Sequence, residues 1–125
     1  MPDAYRIPAL SMVMLGVRNV NDSLLFYRDK LGMAVKQHFE GFAFLDAGAV
    51  MLILSEALAK NSPHTAGAVE VIFNVDAVND HHNSLQNLGV EFLHTPHNVN
   101  GPMWAANFRD PDGHLLTLFG PEKKS

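Results

Sequence analysis

VRNVND, residues Val17 to Asp22, returns 58 residues later as VDAVND, Val75 to Asp80. The Leu31-Gly32 pair downstream of the first copy returns as Leu88-Gly89 downstream of the second, one residue closer. Two matches in the same order indicate that the chain carries one structural unit written twice. Upstream of the first copy, Leu10 to Arg18 is apolar on both parities, with Met12, Met14 and Gly16 on one and Val13, Leu15 and Val17 on the other. That pattern predicts a strand covered on both faces. Past the strand the period changes. Asn21 is placed to cap a helix whose stripe is Leu24, Tyr27 and Leu31, and Gly32 stands where a left-handed residue ends it.

Short strands follow at Val35 to Phe39, Phe42 to Leu45 and Ala49 to Ser55, with tight turns at Glu40-Gly41 and Ala47-Gly48. The second half repeats the plan. Val69 to Val75 reads as a strand, Asp76 as an N-cap, and Val78, Leu85 and Leu88 as a helical stripe ending at Gly89. Strands are predicted at Val90 to His94, Trp104 to Phe108 and His114 to Phe119, with Pro111 to Gly113 as the turn between the last two. The fold class is therefore α+β: one domain of two tandem βαβββ modules forming curved mixed sheets. Module 1 spans about 10–55, an aperiodic linker holding Asn61, Ser62, Pro63 and Gly67 spans 56–67, and module 2 spans about 68–120.

Composition narrows the function classes. At 125 residues, 47% of them hydrophobic, the chain can build a core without disulfides. The absence of cysteine removes thiolate metal sites, iron–sulfur clusters and cysteine nucleophiles. Nine Lys and Arg against thirteen Asp and Glu leave a net charge of −4, so no basic field is available to hold nucleic acid. No apolar run reaches the roughly 20 residues that cross a bilayer. The first ten residues, with Asp3 and Pro8, do not read as a secretory signal. A cytoplasmic protein with no membrane partner is expected.

Three segments in order carry a resemblance: VRNVNDSLLFYRDKLGM from Val17, GAVMLILSE from Gly48 and FRDPDGHLLTLFG from Phe108. Through them nearly the whole chain resembles the vicinal oxygen chelate superfamily. That group contains glyoxalase I, extradiol dioxygenases, fosfomycin-resistance enzymes and bleomycin-resistance binding proteins. The resemblance implies half-open cups, with metal ligands, in members that use them, projecting from the first and last strands of each module. Matched by motif, those positions are Met12, Ile53, Glu70 and Thr117. The DPDG-x-x-x-Glu pattern of metal-binding members reads here as DPDGHLLT, ending at Thr117. Met is soft, Ile inert and a neutral Thr hydroxyl weak, so only Glu70 suits a hard divalent ion. Neither a metal nor any other cofactor is expected.

Among the histidines, His38 on the second strand is the best placed to enter a cup. His81 and His82 point about 100° apart on a helix and read as a solvated face, while His94 and His97 flank Pro96 in a loop and His114 follows the turn. Arg109 and Asp110 read as a hairpin ion pair, and Arg18 or Arg109 as a structural partner for Glu70. The expected ligand-binding residues are Met12, His38, Ile53, Glu70, Trp104 and Thr117. They point to a protein that sequesters a small, partly apolar molecule, and because each half-cup leaves sheet edges and an apolar concavity that neither module can close alone, a homodimer is expected. The alternative is an enzyme of lyase or dioxygenase type, either metal-dependent through His38 and Glu70 or metal-free with Glu70 as general base.

Overall fold

Gly32 and Gly89 take positive φ angles of 78° and 93°, the left-handed conformation of a residue just beyond a helix. Each ends the helix of one module, and the two modules are built alike around them. The computed structural model describes residues 10–61 and 69–124. The first module contains β1 (Met12–Gly16), α1 (Val20–Leu24), β2 (Val35–Phe39), β3 (Phe42–Ala47) and β4 (Val50–Ser55). After α2 (Glu56–Asn61), the second contains β5 (Glu70–Asn74), α3 (Val78–Asn87), β6 (His97–Asn100), β7 (Met103–Arg109) and β8 (Leu115–Pro121). Each module makes one four-stranded mixed sheet, ordered β1-β4-β3-β2 and β5-β8-β7-β6. β1 runs parallel to β4 and β5 parallel to β8, and the other pairs are antiparallel. Among the described residues no helix is long and apolar enough to cross a membrane.

Local chemistry explains where the elements depart from expectation. The cap of α1 is Asn19 and not Asn21. Asn19 has the extended backbone a cap requires, and its side chain accepts the Asp22 N–H at 3.0 Å. The helix continues to residue 30 as a π-helical stretch, in which Leu31 N–H reaches Phe26 O at 3.0 Å. In α3 the cap position falls to Ala77, which offers no side-chain acceptor. Asp76 instead faces Lys124 at 3.4 Å. Residues 56–61, expected to be aperiodic, form a helix because Ser55 Oγ accepts the Leu58 N–H at 3.1 Å and starts it. Ser62, Pro63 and Gly67 lie outside the described residues. The strand expected at Val90 to His94 is reduced to one bridge, Phe92 to Phe108. The outer strand is His97–Asn100, whose four exposed polar and apolar residues carry no amphipathic signal.

The helix-facing sides of both sheets meet in one core. Leu15, Ala43, Leu45, Leu52 and Leu54 of the first module and Ala106, Phe108, Leu116 and Leu118 of the second belong to the same buried cluster. Phe26 links them, 6.3 Å from Phe108 by ring centroids. A polar seam runs beside this contact. The Tyr27 hydroxyl, buried, donates to Asp110 Oδ2 at 2.7 Å, and burial together with the Asp110 carboxylate pushes its pKa far above the ordinary phenol range. Arg18 pairs with Asp112 at 3.0 Å, and His114 Nε2 lies 2.6 Å from Gly16 O. The motif residues Asp110, Asp112 and His114 therefore hold the two modules together. Asp110 is not paired with Arg109, whose guanidinium donates to Gly113 O at 2.9 Å.

The expectation that β1 is covered on both faces is corrected. Met12 and Met14 are 53% and 42% exposed, because the core covers only the face carrying Val13 and Leu15. Of the two helix histidines, expected as a solvated face with one edge partly buried, His82 is the buried one, its ring 4.4 Å from that of Phe92.

Candidate functional site

Cross-strand partners in a sheet share a face, so strand register decides which residues meet. In the first sheet Met12 pairs with Met51, and Ile53 with both Met14 and Phe44. These side chains make the face away from the core apolar, with Ile53 itself buried among its neighbours. In the second sheet Glu70 pairs with Leu115, and Thr117 with both Ile72 and Asn107. Glu70, Ile72, Asn107 and Thr117 therefore occupy the corresponding face of the second module. Register thus joins Met12 to Ile53 and Glu70 to Thr117, one pair on each module.

The second pair is bonded. The nearly buried Thr117 hydroxyl donates to Glu70 Oε2 and accepts from Asn107 Nδ2 at 2.7 Å. Asn107 Nδ2 also lies 3.4 Å from Glu70 Oε2. The positive partners proposed for Glu70 are engaged elsewhere, Arg18 on Asp112 and Arg109 on Gly113. Asn107 escaped sequence reading, although counting outward from the Pro111 to Gly113 turn sets 107 opposite 117.

His38 and Trp104 are not brought to this cluster. His38 pairs with Ala43, which faces the core side of its sheet, because a bulge between Val35 and Gln37 resets the strand's parity. Trp104 pairs with Gly120 and packs against the core on the side of Ala106 and Phe108. A groove of about 680 Å³ runs along the free edge of β5. Val13 and Leu52 line it from the first module, Val71 and Phe73 from the second, and its charged side chains are Asp46 and Glu70.

The four family ligand positions do not fit a hard divalent ion. They offer one carboxylate, one hydroxyl, one thioether and one hydrocarbon, and the carboxylate oxygen Oε2 is already occupied by the Thr117 and Asn107 donors. Among the described residues no three His, Asp or Glu side chains gather closely enough to hold a metal.

The model of the Glyoxalase/Bleomycin resistance protein/Dioxygenase superfamily matches residues 9–118. The chain belongs to this superfamily. Within it, a bleomycin resistance protein from Geobacillus stearothermophilus is 29% identical over 126 residues, covering 87% of this chain and 94% of that one. A bleomycin resistance protein from Staphylococcus aureus matches to the same extent. Among solved structures, the lactoylglutathione lyase from Agrobacterium tumefaciens superimposes with a TM-score of 0.75 at 17% identity, covering 91% of this chain and 94% of that one. TnmS3, an antibiotic binding protein from Streptomyces sp. CB03234, gives 0.77 at 21% identity over 92% and 97% of the two chains. At these identities the structural likeness shows the superfamily fold, which serves enzymes and binding proteins alike.

Proposed function

We propose that the chain is a metal-free binding protein that sequesters a small, partly apolar molecule and works as a homodimer in the cytoplasm. The observation that carries the reading is the Glu70–Asn107–Thr117 cluster. It sets one anchored carboxylate on a sheet face beside Ile72, while the matching face of the other module offers Met12, Met51 and Ile53. Ligand sites are typically apolar surfaces with a few converging polar groups of this kind. The names of the bleomycin resistance relatives and of the antibiotic binding neighbour support sequestration over conversion. Met12, Ile53, Glu70 and Thr117 are assigned to ligand contact, with Asn107 added. His38 and Trp104, turned to the opposite faces of their sheets, are left outside the proposed ligand contact.

One observation favours the enzymatic alternative. Glu70 is exposed, and its Oε1 has no hydrogen-bond partner among the described residues, as a general base would require. Native mass spectrometry of protein purified without chelator and without an affinity resin separates the readings. Sequestration predicts a co-purified organic molecule, released unchanged on denaturation and held more weakly by Glu70→Gln. Stoichiometric zinc, nickel, manganese or iron, or release of a chemically altered molecule after incubation, would overturn it.

A further inference from the structure

We propose that the Glu70–Asn107–Thr117 cluster selects organic cations, that is, molecules carrying an ammonium or amidinium group on an apolar body. The proposal rests on the small-molecule reading above and names the ligand class of that site. It follows from which polar hydrogens are already used. The Thr117 hydroxyl has one proton, and it goes to Glu70 Oε2. Its oxygen can then only accept, so Asn107 must turn its amide nitrogen inward, 2.7 Å from Thr117 Oγ1 and 3.4 Å from Glu70 Oε2. With these donors directed into the cluster, Glu70 Oε1 and Asn107 Oδ1 have no partner among the described residues. Both are acceptors, and one carries a formal charge. A ligand that brings N–H donors and positive charge satisfies both, whereas a ligand that brings a carboxylate or phosphate meets only repulsion.

The groove along β5, which shares Glu70 with the cluster, carries the same sign of charge. Its charged side chains among the described residues, Asp46 and Glu70, are both acidic, and no described Lys, Arg or His lines it. Asp46 is partly offset by Lys36, 3.7 Å away, and accepts the Gly48 N–H at 2.9 Å. Among the described residues Glu70 has no such counter-ion. Ile72, on the same face of β5 as Glu70, supplies the apolar wall against which the body of the ligand lies.

Three probes that differ only in the head group test this: benzylammonium, benzyl alcohol and benzoate. Each is titrated into the full chain with labelled isoleucine and methionine methyls, at low and at high salt. Benzylammonium is expected to shift the Ile72 methyl and to bind about tenfold more tightly than benzyl alcohol, as one charge-assisted contact implies. Benzoate is expected to leave the methyl unmoved. The preference for the cation should vanish in Glu70→Gln and weaken with salt. It should also shrink in Thr117→Val, which keeps the charge but releases the Asn107 N–H to face the ligand. Thermal melts confirm that both variants are folded. Equal binding of the cation and the alcohol, or tighter binding of benzoate, overturns the cation proposal and leaves small-molecule binding standing. Failure of all three probes to shift any methyl on the two faces overturns both.

Discussion

The Tyr27 hydroxyl and Asp110 Oδ2 meet at 2.7 Å across the boundary between the modules, both groups buried. Asp110 Oδ1 is satisfied by the backbone N–H groups of Asp112 and His114 at 2.9 and 2.8 Å. The phenol is the side-chain donor for the second oxygen. Tyr27→Phe therefore strands one carboxylate oxygen in the interior, at a cost of about 2 kcal/mol in chemical denaturation.

The same pair sets an alkaline limit. Burial and the Asp110 charge raise the folded-state pKa of Tyr27 above its ordinary value of 10.0. Its contribution is complete below that value and is lost as pH rises beyond it, because the unfolded chain can ionise and the folded chain cannot. Stability should fall above about pH 10, and Tyr27→Phe should flatten that part of the profile. An unchanged alkaline slope in the variant would show that the pair is not the cause.

Glu56, at the start of α2, accepts the Val20 N–H through Oε2 at 2.9 Å and so caps a helix 36 residues away. Glu56→Ala removes that acceptor beside the positive end of α1. A loss of about 1 kcal/mol is expected, comparable to deletion of an ordinary N-cap, and equilibrium unfolding in urea measures it.

Gly120 in β8 admits no side chain, since a Cβ there would overlap Val75 O. The obstacle is backbone. Gly120→Ala should cost about 3 kcal/mol and lower the melting temperature, whereas a neutral result would mean that β5 and β8 sit farther apart.

The homodimer proposal has its own test. Met12, Met14 and Ile72 are 53%, 42% and 56% exposed in the single chain, apolar surface on the two sheet faces that a second chain would cover. Light scattering at micromolar concentration should give about twice the 13.8 kDa chain mass, and Met12→Glu should halve it while preserving the circular dichroism spectrum. A wild-type mass of one chain would remove the dimer.

What the sequence made legible is what repeats or lies close along the chain. The VRNVND duplication places Val17, Val20 and Val78 in the core, all at most 1% exposed, and Gly32 and Gly89 at helix ends. The pair Glu70 and Thr117 was reached through motif position, and Asn107 needed hairpin register as well. The illegible parts depend on distance or on a single inserted residue. Tyr27 and Asp110 are 83 residues apart, and one bulge in β2 was enough to send His38 to the other face. The strand at His97–Asn100 has no hydrophobic alternation to announce it. Its pairing with β7 and the Asn98 amide, which donates to Gly101 O and Met103 O, hold it in place.

Arg18 and Asp76 occupy equivalent places in the two copies of the repeat, yet they carry opposite charge. Arg18 reaches across to Asp112 in the other module, while Asp76 turns to Lys124 near the end of its own module. The halves are thus a lock and a key, not two interchangeable castings. A chain assembled from two first modules would offer Arg18 and Tyr27 twice and have no DPDGH turn to receive them. A chain of two second modules would have two such turns with nothing docked on them. The two copies are joined at the seam by the residues in which they differ.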